Sequence, residues 1–228
     1  MNLNTNDVHI WYISFNNKKL LNIHKLFQIL NENEKIKSKS FIKQRDQRNY
    51  IISHAYLRLL LTKYHPNIKP ESWKFSKNKY GKPFLSKEHN INVYLNISHT
   101  YSAVAYIFTK SNICGIDIEE DRNIILDEQI INLTFSAEEK NIYKISRNKN
   151  DLFYRFWTLK EAYSKACGIG LSQRIQQTDY SSIKDIDSEA FVTFNQKGYY
   201  YGTFFIQKIH LSYCIKSFHP LQIYLHFL

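Results

Sequence analysis

The sequence predicts an α+β fold laid out as two similar lobes. Three observations carry this. Short alternating or apolar strand-like runs and longer helix-period stretches occur in both halves of the chain. The 228 residues suit one large domain or two small ones. No linker, low-complexity tract or clear repeat interrupts them. The lobes are expected over residues 1–110 and 111–228.

In chain order, HIWYISF (9–15) alternates and is rich in β-formers, so it reads as a strand. Leu20–Leu30 carries apolar residues at helical spacing. From Gln44 to Tyr64, Tyr50, Ile51, His54, Leu57, Leu61 and Tyr64 recur at three and four, and Pro66 stops the helix. Just ahead of it gather Lys35, Lys37, Lys39, Lys43, Arg45 and Arg48, opposed by Asp46. YGKP (80–83) is a turn. VYLNIS (93–98) and AVAYIF (103–108) are strands joined by the polar HTYS, and ICGIDIE (113–119) is another, with Gly115 inside it. Ser136 followed three residues later by Glu139 spells a capping box for a helix over about 137–146. A second helix runs from Leu152 to Ala166, with Gly168 and Gly170 to end it. The tail from Phe191 to Phe227 is aromatic and β-branched, with breaks at Gln196-Lys197-Gly198 and His219-Pro220.

Composition narrows the function classes. The chain is 15% aromatic and 22% charged, which excludes a disordered segment. No apolar run approaches the roughly 18–20 residues of a membrane helix, and MNLNTNDVHIW lacks the pattern of a signal peptide. Cys114, Cys167 and Cys214 are odd in number and far apart. They form no zinc spacing and fit a reducing, cytoplasmic setting. The net charge is +11. Residues 1–110 hold 18 basic and 6 acidic residues, net +12; residues 111–228 hold 13 and 14, net −1. AT-rich coding inflates Lys, since Asn, Ile and Lys make up 74 residues, but it does not explain the split. A basic half points to phosphate-bearing ligands, nucleic acid or an acidic protein partner.

The candidate chemistry lies in four places. Asp117 and Glu119, two apart on a strand, project to one side, where hard oxygens would suit Mg²⁺. The plainer reading is a solvated face continued by Glu120 and Asp121. Glu161 and Lys165 are four apart on a helix, either as an i,i+4 ion pair or as a ligand or base with a phosphate-facing lysine. Ser98-His99 lies where a strand gives way to a loop, a common place for ligand groups. Lys82 sits in the turn. Asn96-Ile97-Ser98 also spells a glycosylation sequon, which is idle without secretion.

Taken in order, YGKPFL, NISHT, GIDIE and FWTLKEAYSKACGIGL resemble the larger, pseudodimeric 4′-phosphopantetheinyl transferases, the type that activates surfactin synthetase. The resemblance runs from about Phe41 to Leu171. It implies two α/β lobes related by a pseudo-twofold axis, with the active site between them. It implies transfer of phosphopantetheine from coenzyme A to a carrier-protein serine, releasing adenosine 3′,5′-bisphosphate. By the same resemblance, Asp117, Glu119 and Glu161 are the Mg²⁺ ligands, and Glu161 is also the candidate base. Lys165 is a catalytic diphosphate contact, Ser98 and His99 contact phosphate, and Lys82 is part of the adenine-side wall. For the 3′-phosphate, Lys37 matches one family lysine, Glu34 stands where the other is found, and Arg48 neighbours a position that is Asn49 here. The implied partners are coenzyme A and an acidic acyl or peptidyl carrier, with no nucleic acid, no membrane and a monomeric chain. The alternatives are a Mg²⁺-dependent nuclease or other phosphotransferase on nucleic acid, and a non-catalytic module binding nucleic acid through Lys35–Arg48.

Overall fold

The structure is a computed structural model. It describes residues 1–17, 22–110, 113–122, 128–168, 170, 178–183, 186 and 191–228. The start of the expected helix at Leu20 and Leu21, the end of the GIGL motif at Leu171 and the expected boundary after residue 110 fall at or against residues outside that set.

The first lobe runs β1 (Asp7–Ser14), α1 (Ile23–Ile29), α2 (Glu32–Lys39), α3 (Gln44–Tyr64), the hairpin β2 (Phe75–Lys77) and β3 (Pro83–Leu85), then β4 (Tyr94–His99) and β5 (Ala103–Thr109). The second runs β6 (Cys114–Glu120), α4 (Glu128–Thr134), α5 (Ala137–Ile145), α6 (Lys149–Cys167), β7 (Phe191–Gln196), β8 (Tyr199–Ile206), β9 (Ile209–Lys216) and β10 (Gln222–Phe227). The sheets are ordered β10-β1-β5-β4 and β6-β9-β8-β7. In each lobe a first strand is followed by short helices and one long helix, then by antiparallel strands, β4 and β5 in the first lobe and β7, β8 and β9 in the second, the last of which pairs with the first. Two similar α/β lobes are therefore present. The last strand departs from that scheme: β10 crosses back and pairs in parallel with β1, Asp7 opposite Gln222.

Local chemistry explains the helices. Asn31 and Glu34 form a full capping box at α2, and Ser136 and Glu139 form the expected one at α5. The lysine-rich stretch is thus partly helical, which its charge conceals. Helix α6 begins at Lys149 rather than Leu152 because the Asn148 side chain caps it by accepting from the Asp151 N–H. It ends at Gly168, at φ 66°.

Strand alternation divides the core into three. His9, Trp11 and Ile13 face α3, while Val8, Ile10 and Tyr12 face an inter-sheet core shared with Ile116, Ile118, Leu211 and Ile215. Gly115, Asp117 and Glu119 are of the opposite parity to Ile116 and Ile118, and so lie on the α6 side of β6. A third cluster, with Phe135, Phe156 and Leu159, lies under α6. Among the described residues no helix is long and apolar enough to cross a membrane.

Candidate active site

The site forms where the edge strands β4 and β6 meet. The outward backbone of an edge strand needs partners. Here side chains of the first lobe supply them at every second residue of β6. Lys82 Nζ donates to the Cys114 carbonyl at 2.9 Å, Asn96 Oδ1 accepts from the Ile116 N–H at 2.9 Å, and Ser98 Oγ accepts from the Ile118 N–H at 3.3 Å. The Asn-Ile-Ser triplet that spells a sequon is therefore part of the seam between lobes. Asn96 drew no functional reading from the sequence. Its spacing of two from Ser98 on a strand is the signal that could have found it.

Gly115 sets the depth of the site. A Cβ there would lie 2.0 Å from the Ala162 carbonyl oxygen and 2.4 Å from the Ala166 nitrogen. Only glycine lets α6 come this close to β6. The close packing brings Lys165 across to Asp117: its Nζ lies 2.5 Å from Asp117 Oδ1 and 2.9 Å from Ser98 Oγ, which itself donates to the same carboxylate oxygen at 2.9 Å. Lys165 thus ion-pairs with Asp117 on β6, and its i,i+4 neighbour Glu161 feels its charge.

Three carboxylates share this end of α6. Asp117 is 3% exposed. Burial and the neighbouring Asp117 and Glu119 push Glu161 up to about 7, against the pull of Lys165. Burial and Asp117 also raise Glu119, against the Trp157 indole, Lys165 and Arg122. Asp117 Oδ2 and Glu161 Oε1 are buried with no hydrogen-bond partner. Unpartnered carboxylate oxygens are hard donors, and the chemistry of this donor set fits Mg²⁺. Among the described residues, no three His, Cys, Asp or Glu side chains already stand in metal-holding geometry. Glu120, next along the strand, is drawn aside to Arg122 at 3.5 Å.

His99 ends β4. Its ring reaches solvent, yet crowding and the nearby Lys165 and His54 hold its pKa below the usual value. The Asn49 amide donates to the Tyr101 carbonyl at 3.0 Å, which ties the start of α3 to the loop after His99. There the Arg45 guanidinium lies 3.7 Å from the centre of the Tyr101 ring, and Arg48 Nη2 donates to the Phe15 carbonyl at 3.2 Å. Lys37 is exposed on α2 with its ammonium 5.5 Å from the Phe41 ring. Glu34 turns inward instead, accepting from Arg58 Nε at 2.8 Å and facing His54 Nδ1 at 3.0 Å.

Lys160, the neighbour of Glu161, points away from the site. It is 1% exposed and pairs with the buried Glu139 at 2.9 Å while donating to the Thr178 carbonyl. Lys82 also spends its charge inside the protein, on the Cys114 and Ala166 carbonyls at 2.9 and 3.2 Å. It borders a cleft of about 460 Å³ whose lining includes Phe84, Tyr94, Ile113 and Cys167.

Comparison with known proteins agrees with this geometry. Residues 113–218 match the family model described as the 4′-phosphopantetheinyl transferase superfamily, and residues 18–109 match that of the 4′-phosphopantetheinyl transferase N-terminal region. The chain is 26% identical over 176 residues to the 4′-phosphopantetheinyl transferase HetI of Nostoc sp., covering 76% of this chain and 73% of that one. It is 36% identical over 110 residues to gsp of Aneurinibacillus migulanus, covering 46% and 42%. To Sfp of Bacillus subtilis it is 30% identical over 138 residues, covering 60% and 59%. The last two matches span less than two thirds of the relatives' own length. Nothing in these matches favours nucleic acid as substrate. The two family models account for both lobes and the relatives bear the same description, so the chain belongs to the 4′-phosphopantetheinyl transferase superfamily.

Proposed function

We propose that this chain moves 4′-phosphopantetheine from coenzyme A to a serine of an apo acyl or peptidyl carrier protein. The observation that carries the reading is that Asp117, Glu119 and Glu161 feel one another's charge beside the Lys165–Asp117 ion pair, with one oxygen each of Asp117 and Glu161 buried and unpartnered. Asp117, Glu119 and Glu161 would hold Mg²⁺, which supplies neutralisation of the diphosphate charge. Phosphoryl transfer depends mainly on positioning and charge stabilisation. Lys165, on α6, offers the diphosphate an ammonium already oriented by Ser98. His99, at the open end of β4, offers a ring N–H. Lys37 and Arg48 belong to the basic surface suited to the 3′-phosphate.

In the transfer, the carrier serine oxygen forms a bond to the phosphorus that bears pantetheine. The bond from that phosphorus to the bridging oxygen breaks, and adenosine 3′,5′-bisphosphate leaves. The serine proton goes to a base within hydrogen-bond reach, for which Glu161 is the candidate. The excess of positive charge in residues 1–110 suits an acidic carrier, in a cytoplasmic setting and with a monomeric enzyme.

The test is incubation with coenzyme A, Mg²⁺ and apo carriers from fatty-acid, polyketide and peptide synthesis, read by intact mass. A gain of about 340 Da on the carrier, abolished by EDTA, is expected for group transfer. No gain on any carrier overturns the reading. Salt should raise KM for the carrier more than KM for coenzyme A, since exposed charges are screened beyond roughly 8 Å at physiological strength. Charge reversal at Lys37 should do the converse.

A further inference from the structure

We infer that the turn Asn78–Lys82 is a positioning clasp between the lobes: it sets α6 against β6, and Lys82 acts through that contact rather than by touching coenzyme A. The inference rests on the transferase reading for its kinetic consequence only.

The last carbonyls of a helix have no partner within the helix, and a cation is favoured beside them. At the end of α6 those partners come from the other lobe. Lys82 Nζ donates to the Ala166 carbonyl at 3.2 Å, and Asn78 Nδ2 donates to the Gly168 carbonyl at 3.1 Å. The same ammonium donates to the Cys114 carbonyl, the first residue of β6, at 2.9 Å. One charged group of the first lobe therefore holds both elements that carry the site. Its two attachment points are one residue past Lys165 on α6 and three residues before Asp117 on β6.

The turn is built to present these two side chains. Asn78 Oδ1 accepts from the backbone N–H of Tyr80 and of Lys82, both at 2.9 Å, which folds the turn over its own first residue. Gly81, at φ 85°, supplies the left-handed step. Gly168 is fitted to the clasp from the other side: a Cβ there would come 2.9 Å from Asn78 Nδ2. Burial lowers the Lys82 pKa, as expected of an ammonium desolvated against carbonyls. Two of its three N–H donors are committed within the protein.

The experiment compares Lys82→Met, Lys82→Arg and Asn78→Ala with the parent enzyme. Misplacing a reacting group by about 1 Å costs roughly 100-fold in rate. Lys82→Met should therefore lower kcat about 10- to 100-fold at saturating coenzyme A while KM for coenzyme A stays within about threefold. Asn78→Ala should give the same pattern more weakly, and Lys82→Arg, which can still reach two carbonyls, should recover most of kcat. Amide hydrogen exchange in the last turn of α6 should speed up in Lys82→Met and Asn78→Ala. A tenfold rise in KM with kcat intact would make Lys82 a ligand contact and overturn the clasp, leaving the transferase reading untouched. Should the parent transfer nothing, that reading falls, and unchanged exchange at the end of α6 overturns the clasp independently. If Lys82→Met does not fold, Asn78→Ala decides by the same two readouts.

Discussion

Arg58 in the first lobe and Lys160 in the second hold equivalent posts. Each is a buried cation on the long helix, paired with the capping-box glutamate of the preceding short helix: Arg58 with Glu34 at 2.8 Å, Lys160 with Glu139 at 2.9 Å. Each also donates to carbonyls of the segment leading out of the helix, at Pro70 and Trp73 in one lobe and Thr178 in the other. Counting on from this strut, the next residue is Leu59 in α3 and Glu161 in α6. Five residues on are Lys63 and Lys165, and both reach the first strand of their own lobe. Lys63 lies 4.7 Å from the Trp11 ring centre, and Lys165 pairs with Asp117. Two residues further along those strands stand Ile13 and Glu119. The carboxylate triad of one lobe occupies the places of Trp11, Ile13 and Leu59 in the other. In the first lobe these places add apolar burial, with Trp11 2% and Ile13 0% exposed. In the second they hold anions that repel one another and lose hydration. One scaffold thus serves as core in one lobe, and in the next gives up stability for the carboxylates proposed to hold the metal.

The largest effect should come from breaking the shared strut. Removing one partner of a buried ion pair leaves a charge stranded and costs about 3–5 kcal/mol. Lys160→Met and Arg58→Met should each lower the melting temperature by roughly 10 °C, at about 2–4 °C per kcal/mol for a chain of this size. Adding Glu139→Gln to Lys160→Met should recover part of the loss, because no unpaired charge remains and the amide oxygen can still accept from one of the two backbone N–H groups that Glu139 serves, those of Ser136 and Tyr180. Thermal unfolding of the four proteins decides it. A loss in only one lobe would break the equivalence of the two posts.

The comparison is sharpened by the helix–strand contact beside the triad. Two residues before Trp11 is His9, edge-on to Tyr64 with ring centroids 5.4 Å apart; the matching pair in the second lobe is Gly115 and Ala166. A large pair holds α3 off β1, and a small pair lets α6 down onto β6. Gly115→Ala must push backbone atoms aside and should cost about 1–3 kcal/mol, as overpacking does. Because the displaced helix carries Glu161 and Lys165, kcat should fall by at least tenfold beyond what the folded fraction explains. His9→Ala in the first lobe should lower stability alone. Equal kcat in Gly115→Ala and the parent, measured well below the melting point, would refute this account of the glycine.

These equivalences show which features the sequence discloses. The limits of α3 follow from its own periodicity and from Pro66, and the α5 capping box from four consecutive residues. The parity of Asp117 and Glu119 follows from strand geometry alone. Partners distant in the chain stay hidden. Lys165 finds Asp117 48 residues away rather than Glu161 beside it, and Lys160 looks like its neighbour on paper while pointing to Glu139. The β8–β9 turn, Gln207-Lys208, has both φ values positive, at 48° and 66°, without a glycine or asparagine to announce it. The parallel pairing of β10 with β1 depends on closing nearly the whole chain, which no local pattern encodes.

The smallest predicted effect isolates the cost of the carboxylates. Glu161 titrates near 7 in the folded protein, above its ordinary value of 4.5. The folded state therefore holds this proton more tightly than the unfolded one. Its contribution to stability is complete below about pH 4.5 and is lost as pH rises through 7. The full shift would correspond to roughly 3 kcal/mol; solvent contact at the site reduces the expected value to about 1–2 kcal/mol. In EDTA, Glu161→Gln should match the parent near pH 4.5 and melt about 2–6 °C higher at pH 8.5. Mg²⁺ should raise the parent at pH 8.5 and close much of that gap, since the ion offsets the same repulsion. Leu59→Gln, at the matching post in the first lobe, should lower the melting temperature at every pH because it only removes apolar burial. If Glu161→Gln and the parent melt together at pH 8.5 in EDTA, the carboxylates do not strain the second lobe, and the contrast drawn between the two triads is wrong.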